Sequence, residues 1–227
     1  MRATLVAGLV MLAAGSSRAA APDGSFAIRG IGSGTCGELV KAVDARSPEV
    51  AWFAHWLDGY VTAVNRYRAD TFDVAPWPGT RLLLMLVDAH CRGNRDQPLY
   101  EVVHQLVVLL GTQRLVDRSE PVEIRVGERR RMLYRAVVRR LQRALIERKL
   151  LADRADGIFG PRTRKAVAAF QRKAGLEATG FPDDETLYKL LLEPLVAGPA
   201  PAPGGDGGPA GDGKGGAPAA GNPDAGG

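Results

Sequence analysis

Between Asp156 and Phe181 the chain reads DGIFGPRTRKAVAAFQRKAGLEATGF, and the placement of its glycines, proline and acids leaves few ways to fold. Asp156-Gly157 forms a tight turn, because the aspartate can bond its own backbone and glycine tolerates positive φ. Gly160-Pro161 opens a helix, with proline at the first helical position, where its missing N–H costs nothing. Val167 and Phe170 face a core, and Gly175 ends the helix. Asp183 caps a further helix, with Thr186 three residues inside it. Upstream, Val137, Leu141, Leu145 and Ile146 mark one side of a helix from Tyr134 to Leu150, with arginines elsewhere. The pattern predicts three short helices joined by tight turns.

Those positions also carry a resemblance. LQRAL, DGIFGPRT, AVAAFQ, GL, TG and TLYKL occur in order between Tyr134 and Pro194. The segment resembles the peptidoglycan-binding domain of bacterial cell-wall proteins, a small three-helix module. The resemblance implies peptidoglycan as partner and no cofactor. Most of the motif is accounted for by folding: Asp156, Gly157, Gly175 and Gly180 shape turns, while Leu141, Phe159, Phe170 and Leu187 fill a core. Binding needs exposed groups, which the resemblance places near the turn and the start of the second helix. Arg162, Arg164 and the backbone N–H groups around Gly160 suit wall carboxylates. Thr163 and Gln171 add neutral hydrogen-bonding capacity. The candidate site is therefore Asp156, Gly157, Phe159, Gly160, Arg162, Thr163, Arg164 and Gln171.

Both ends of the chain are set apart by composition. Residues 1–21 read as a secretory signal: Arg2, an apolar run from Leu5 to Ala14, then small residues around Ser17 to Ala21. That run is shorter than the about 20 apolar residues a spanning helix needs, so no integral span is expected after its removal. Residues 197–227 are almost entirely Gly, Ala and Pro, which predicts a disordered tail. Export makes the two cysteines, Cys36 and Cys91, a disulfide pair. The reading places the protein in the periplasm or outside the cell, associated with the wall.

Residues 26–110 read as helical. Val50, Phe53, Ala54, Leu57, Val61 and Val64 recur at helical spacing, with Ser47-Pro48 as the expected start. A short apolar helix from Leu82 to His90 and another from Leu99 to Leu110 follow, separated by the polar turn RGNRDQP. GSGTCGELV, AWFAHWLDGYVTAVN and LLLMLVDAHCRGNRDQPLYEVV are similar to secreted helical domains grouped with the acid-stress chaperone HdeA and the Rap1a/Tai immunity proteins. The matching residues are Cys36, Trp56, Gly59, Tyr60, Asn65, Cys91 and Pro98. This likeness implies a disulfide-stapled bundle; the relatives differ in what they do, so it carries over little function, and a periplasmic protein partner for residues 26–110 belongs to the alternative reading. Residues 111–131 are polar and broken by Pro121 and Gly127, and read as a linker with VEIRV as a candidate strand. No internal repeat is expected.

The net charge is +5, and ten Arg or Lys residues lie between Arg125 and Lys149 against Glu128 and Glu147. Such a block attracts anionic polymers or lipid head groups, or is the solvated face of one helix. No nucleic-acid partner is expected, since a secreted protein seldom meets one and only Tyr134 interleaves the charges. Catalysis finds no support either. His55, His90 and His104 form no metal-ligand pattern. Ser33-Gly34-Thr35-Cys36 lacks the spacing and the basic partner that a cysteine transpeptidase needs. The fold class is all-α: a disulfide-stapled helical bundle over 26–110, a linker over 111–131, a three-helix module over 132–196, and the tail. The expected function is non-catalytic: wall binding that holds the first domain in place. A periplasmic immunity or chaperone-like protein, merely localised by the module, is the alternative.

Overall fold

A computed structural model describes residues 21–196. The signal expected at 1–21, apart from its last residue, and the tail expected over 197–227 lie outside the described residues. The described chain is mainly helical with little sheet. In order it forms α1 (Cys36–Asp44), α2 (Val50–Tyr67), α3 (Thr80–Cys91) and α4 (Leu99–Leu110). A hairpin follows, β1 (Pro121–Val126) and β2 (Arg129–Tyr134), then α5 (Arg135–Glu147), α6 (Pro161–Lys173) and α7 (Asp184–Leu187).

The first four helices are tied at their ends. Cys36, at the start of α1, is bonded to Cys91, at the end of α3, and both are fully buried. The expected pairing holds. Around it the backbone zips together: Cys36 N–H donates to Gln97 O, Gly37 N–H to Arg95 O, and Leu99 N–H to Gly34 O. The polar turn between α3 and α4 thus satisfies the first amides of α1, which no earlier helical turn can reach. On α2, Phe53 and Leu57 are buried. Trp56 stacks on Tyr60 and its indole N–H donates to Arg29 O. Asn65 accepts from Val74 N–H at 2.7 Å, fixing the loop that leads to α3. The start of α2 differs slightly from expectation. Its first helical residue is Val50, and Ser47 Oγ accepts from Glu49 N–H in the preceding turn.

The stretch expected as a linker is largely structured. Val122, Ile124 and Val126 alternate inward, while a two-residue turn at Gly127-Glu128 returns the chain so that Ile124 faces Arg131 and Val122 faces Leu133. The strand suspected in VEIRV therefore has a partner, RRRMLY, whose three arginines conceal its alternation in the sequence. Arg131 is held in place by acceptors from both halves of the chain. It donates to Pro182 O at 2.7 Å, to Asp184 Oδ1 at 3.1 Å and to Trp77 O at 3.4 Å.

One apolar core runs without a break from α1–α4 through Ile124, Val126 and Leu133 to α5–α7. Phe72 meets Tyr134 edge-on, Leu115 pairs with Asp73, and Gln113 Nε2 donates to Leu191 O at 2.7 Å. The two helical units are thus packed against each other. After α7 the coil widens into one π turn, Tyr188–Leu192, before a last short helix, Glu193–Val196. Pro194 gives the physical reason: it has no N–H for the Leu190 carbonyl and its ring would clash there. The released Leu190 O accepts from Arg148 instead.

Candidate functional site

Two buried glutamines organise the turns on which the candidate site rests. Gln142, on α5, accepts from Gly157 N–H at 2.8 Å through its side-chain oxygen. Its amide nitrogen donates to Asp156 Oδ1, Ile158 O and Thr163 Oγ1. Gln171, on α6, repeats the arrangement. It accepts from Gly180 N–H at 2.7 Å and donates to Phe181 O, Thr186 Oγ1 and Thr179 Oγ1. In each case the threonine follows the glycine by six residues. In each case the helical residue seven before the glutamine, Arg135 or Arg164, presses its carbonyl against the glycine. Gly157 and Gly180 have φ of +80° and +71°, and an added Cβ on either would lie 2.9 Å from that carbonyl oxygen. No internal repeat was expected from the sequence, yet the geometry is a pseudo-repeat. Its trace there is Gln…Gly-x5-Thr, obscured by a longer loop after Gln142.

This changes the role of two candidate residues. Gln171 is fully buried and Thr163 nearly so, and their polar atoms are engaged inside the module. They brace the fold and are not presented to a ligand. Helical phase carried the warning, because Thr163, Val167, Phe170 and Gln171 lie on one face of α6, as Val138, Leu141, Gln142 and Leu145 do on α5. Gly157 is buried as well, and Phe159 is half-buried against the core.

The remaining candidates, Asp156, Gly160, Arg162 and Arg164, are exposed or half-buried. Gly160 is the N-cap residue of α6 without a side-chain cap, and Pro161 follows at the first position. Arg162 and Arg164 are exposed on this first turn. The amides of a helix N-terminus carry partial positive charge, and two guanidiniums beside them reinforce it. Arg162 meets Asp153 at 3.2 Å as an exposed pair, which solvent weakens and a ligand carboxylate can exchange. Asp156, at the rim, has its carboxyl held below the usual carboxylate range by the Ile158 N–H and then by Gln142. The Arg154 N–H and then Arg162 hold Asp153 down in the same way. Ile158, which the sequence reading passed over, is 60% exposed between the two turn residues and supplies an apolar element beside them. Its signal was an apolar residue placed between the turn glycine and the core residue Phe159.

Elsewhere, the Cys36–Cys91 bond leaves no free thiol, and His104 and His90 are bonded to Tyr60 and Gln97. Among the described residues no group of His, Cys, Asp and Glu is placed to hold a metal, and no helix is long and apolar enough to cross a membrane. No curated protein and no solved structure matches the chain. A family model does match a part of it: residues 135–190, which span both glutamine braces and the exposed start of α6, are similar to the family described as "Putative peptidoglycan binding domain".

Proposed function

We propose that this is an exported, non-catalytic protein whose residues 132–196 bind peptidoglycan and hold the helical domain of residues 26–110 at the cell wall. The observation that carries the reading is the family match over 135–190 on a segment with an exposed, cationic helix start. Peptide stems of the wall end in carboxylates and carry small apolar side chains. Arg162, Arg164 and the α6 amides suit the former, and Ile158 the latter. The disulfide supports export, since such bonds persist in oxidising compartments.

A second reading, a periplasmic immunity or chaperone-like protein localised by the module, is favoured by one feature. Between α3 and α7 runs a groove of about 550 Å³, floored by Leu82, Met85 and Leu86. Met85 is 56% exposed there. An NMR titration of the intact protein with soluble muropeptides tests the wall binding that both readings share, and a specific protein partner of residues 26–110 would favour the second. Wall binding predicts shifts clustered at the amides of Ile158 to Arg164. No shift in that segment at millimolar muropeptide would refute it.

A further inference from the structure

Part of the basic character of α5 lies at one recess. Arg140 and Arg143 on α5 and Arg148 just beyond its end line a hollow of about 250 Å³ roofed by Leu190, Leu191 and Pro194. Glu147 is the one acid in its lining. Among the described residues none of the three guanidiniums has a carboxylate within ion-pair distance.

A solvated helix face would explain exposed arginines, and the helix C-terminus explains Arg148, which donates to Ala144 O at 2.9 Å and to Leu190 O at 3.4 Å. Neither explains Arg140. It is half-buried in mid-helix beside a like charge, and its nearest side-chain acceptor is the neutral Gln113 Oε1 at 3.4 Å. Burial, and then the Arg143 charge, hold its pKa below the ordinary arginine value. Half-burying a cation next to another cation is unfavourable unless an anion completes the site.

We propose that this recess is an anion site for a phosphoryl group, carried by a soluble phosphate ester or a lipid head group. Three planar guanidiniums offer more donors than one carboxylate can accept, whereas a phosphoryl group presents three oxygens to separate forks. Three positive charges against Glu147 also match the charge of about −2 that a phosphomonoester carries near neutrality. The roof places the ligand across the seam between α5 and the coil after α7, so that binding joins the two. The site is distinct from the start of α6 and does not depend on the peptidoglycan reading.

Isothermal titration of the full chain with pyrophosphate, at fixed ionic strength, tests this. Saturable binding is expected, weakened about tenfold or more by Arg143→Gln, as the loss of one charge-assisted hydrogen bond implies. Arg143 is exposed, so this variant does not threaten the fold. Arg140→Gln should act at least as strongly, with its unliganded melting temperature measured alongside. Arg130→Gln, which removes the same charge from the hairpin, should leave binding unchanged. A parallel arm uses phosphatidylglycerol vesicles against phosphatidylcholine vesicles. Selective vesicle binding that Arg143→Gln weakens assigns the site to a head group, and pyrophosphate binding alone assigns it to a soluble ligand. No saturable binding of either probe, or equal loss in Arg130→Gln and Arg143→Gln, would overturn the proposal.

Discussion

Replacing Gln171 with leucine probes the central structural device of the module. Leucine has similar volume, so the cavity contribution is small and the hydrogen bonds dominate. Of the four partners, three keep other bonds: Thr186 Oγ1 still donates to Asp183 at 2.6 Å, Thr179 Oγ1 still accepts from Phe181 N–H, and Phe181 O still accepts from Asp183 N–H at 2.9 Å. Only the Gly180 N–H loses its partner, in a buried turn. An orphaned buried donor costs about 1–3 kcal/mol, reduced somewhat by burying a more apolar side chain. Against a domain stability of about 5–15 kcal/mol this is a large fraction. Urea denaturation should show a lower midpoint at unchanged slope. The same argument applied to Gln142→Leu gives a loss of similar size. If Gln171→Leu cost less than about 0.5 kcal/mol, the glutamine would not be a brace.

That brace shows where the sequence was informative and where it was not. Gly157, the Gly160-Pro161 start, Gly175 and the Asp183 cap were legible because each rests on local backbone chemistry: Gly157 and Gly175 do take positive φ, and Asp183 does accept from Thr186 N–H. The disulfide was legible from two cysteines and an expected secretory signal. Gln171 and Thr163 were misjudged because polar identity was weighed above helical phase. The hairpin was obscured because β2 is arginine-rich, and Arg131 becomes inward-facing only through acceptors more than 50 residues away in sequence. The continuous core between the two helical units depends on pairings such as Gln113 with Leu191, which no local pattern encodes.

Three further outcomes follow from single features. Opening the Cys36–Cys91 bond by Cys36→Ser/Cys91→Ser should destabilise the fold by about 4 kcal/mol on the chain-entropy model, seen as a lower urea midpoint; an unchanged midpoint contradicts it. Gly180→Ala forces a Cβ into the left-handed region against the Arg164 carbonyl, and should cost at least about 1–2 kcal/mol in thermal unfolding, whereas a neutral effect would show that the turn can relax. The lowered pKa of Asp156 makes its contribution to stability complete above the unfolded aspartate value of about 3.9 and lost as pH falls through the lower folded value. Asp156→Asn should therefore flatten the stability profile below about pH 4, and a profile identical to the parent would count against the Ile158 and Gln142 bonds.

The most direct test of wall binding is sedimentation of the intact protein with purified peptidoglycan sacculi at low salt. The structure predicts that it pellets with the sacculi and that Arg162→Gln/Arg164→Gln leaves it largely in the supernatant with its melting temperature preserved, since Arg162 holds only an exposed pair. Parent protein that stays in the supernatant contradicts the wall-binding account, and a double variant that pellets as the parent does contradicts the assignment of the site to the start of α6.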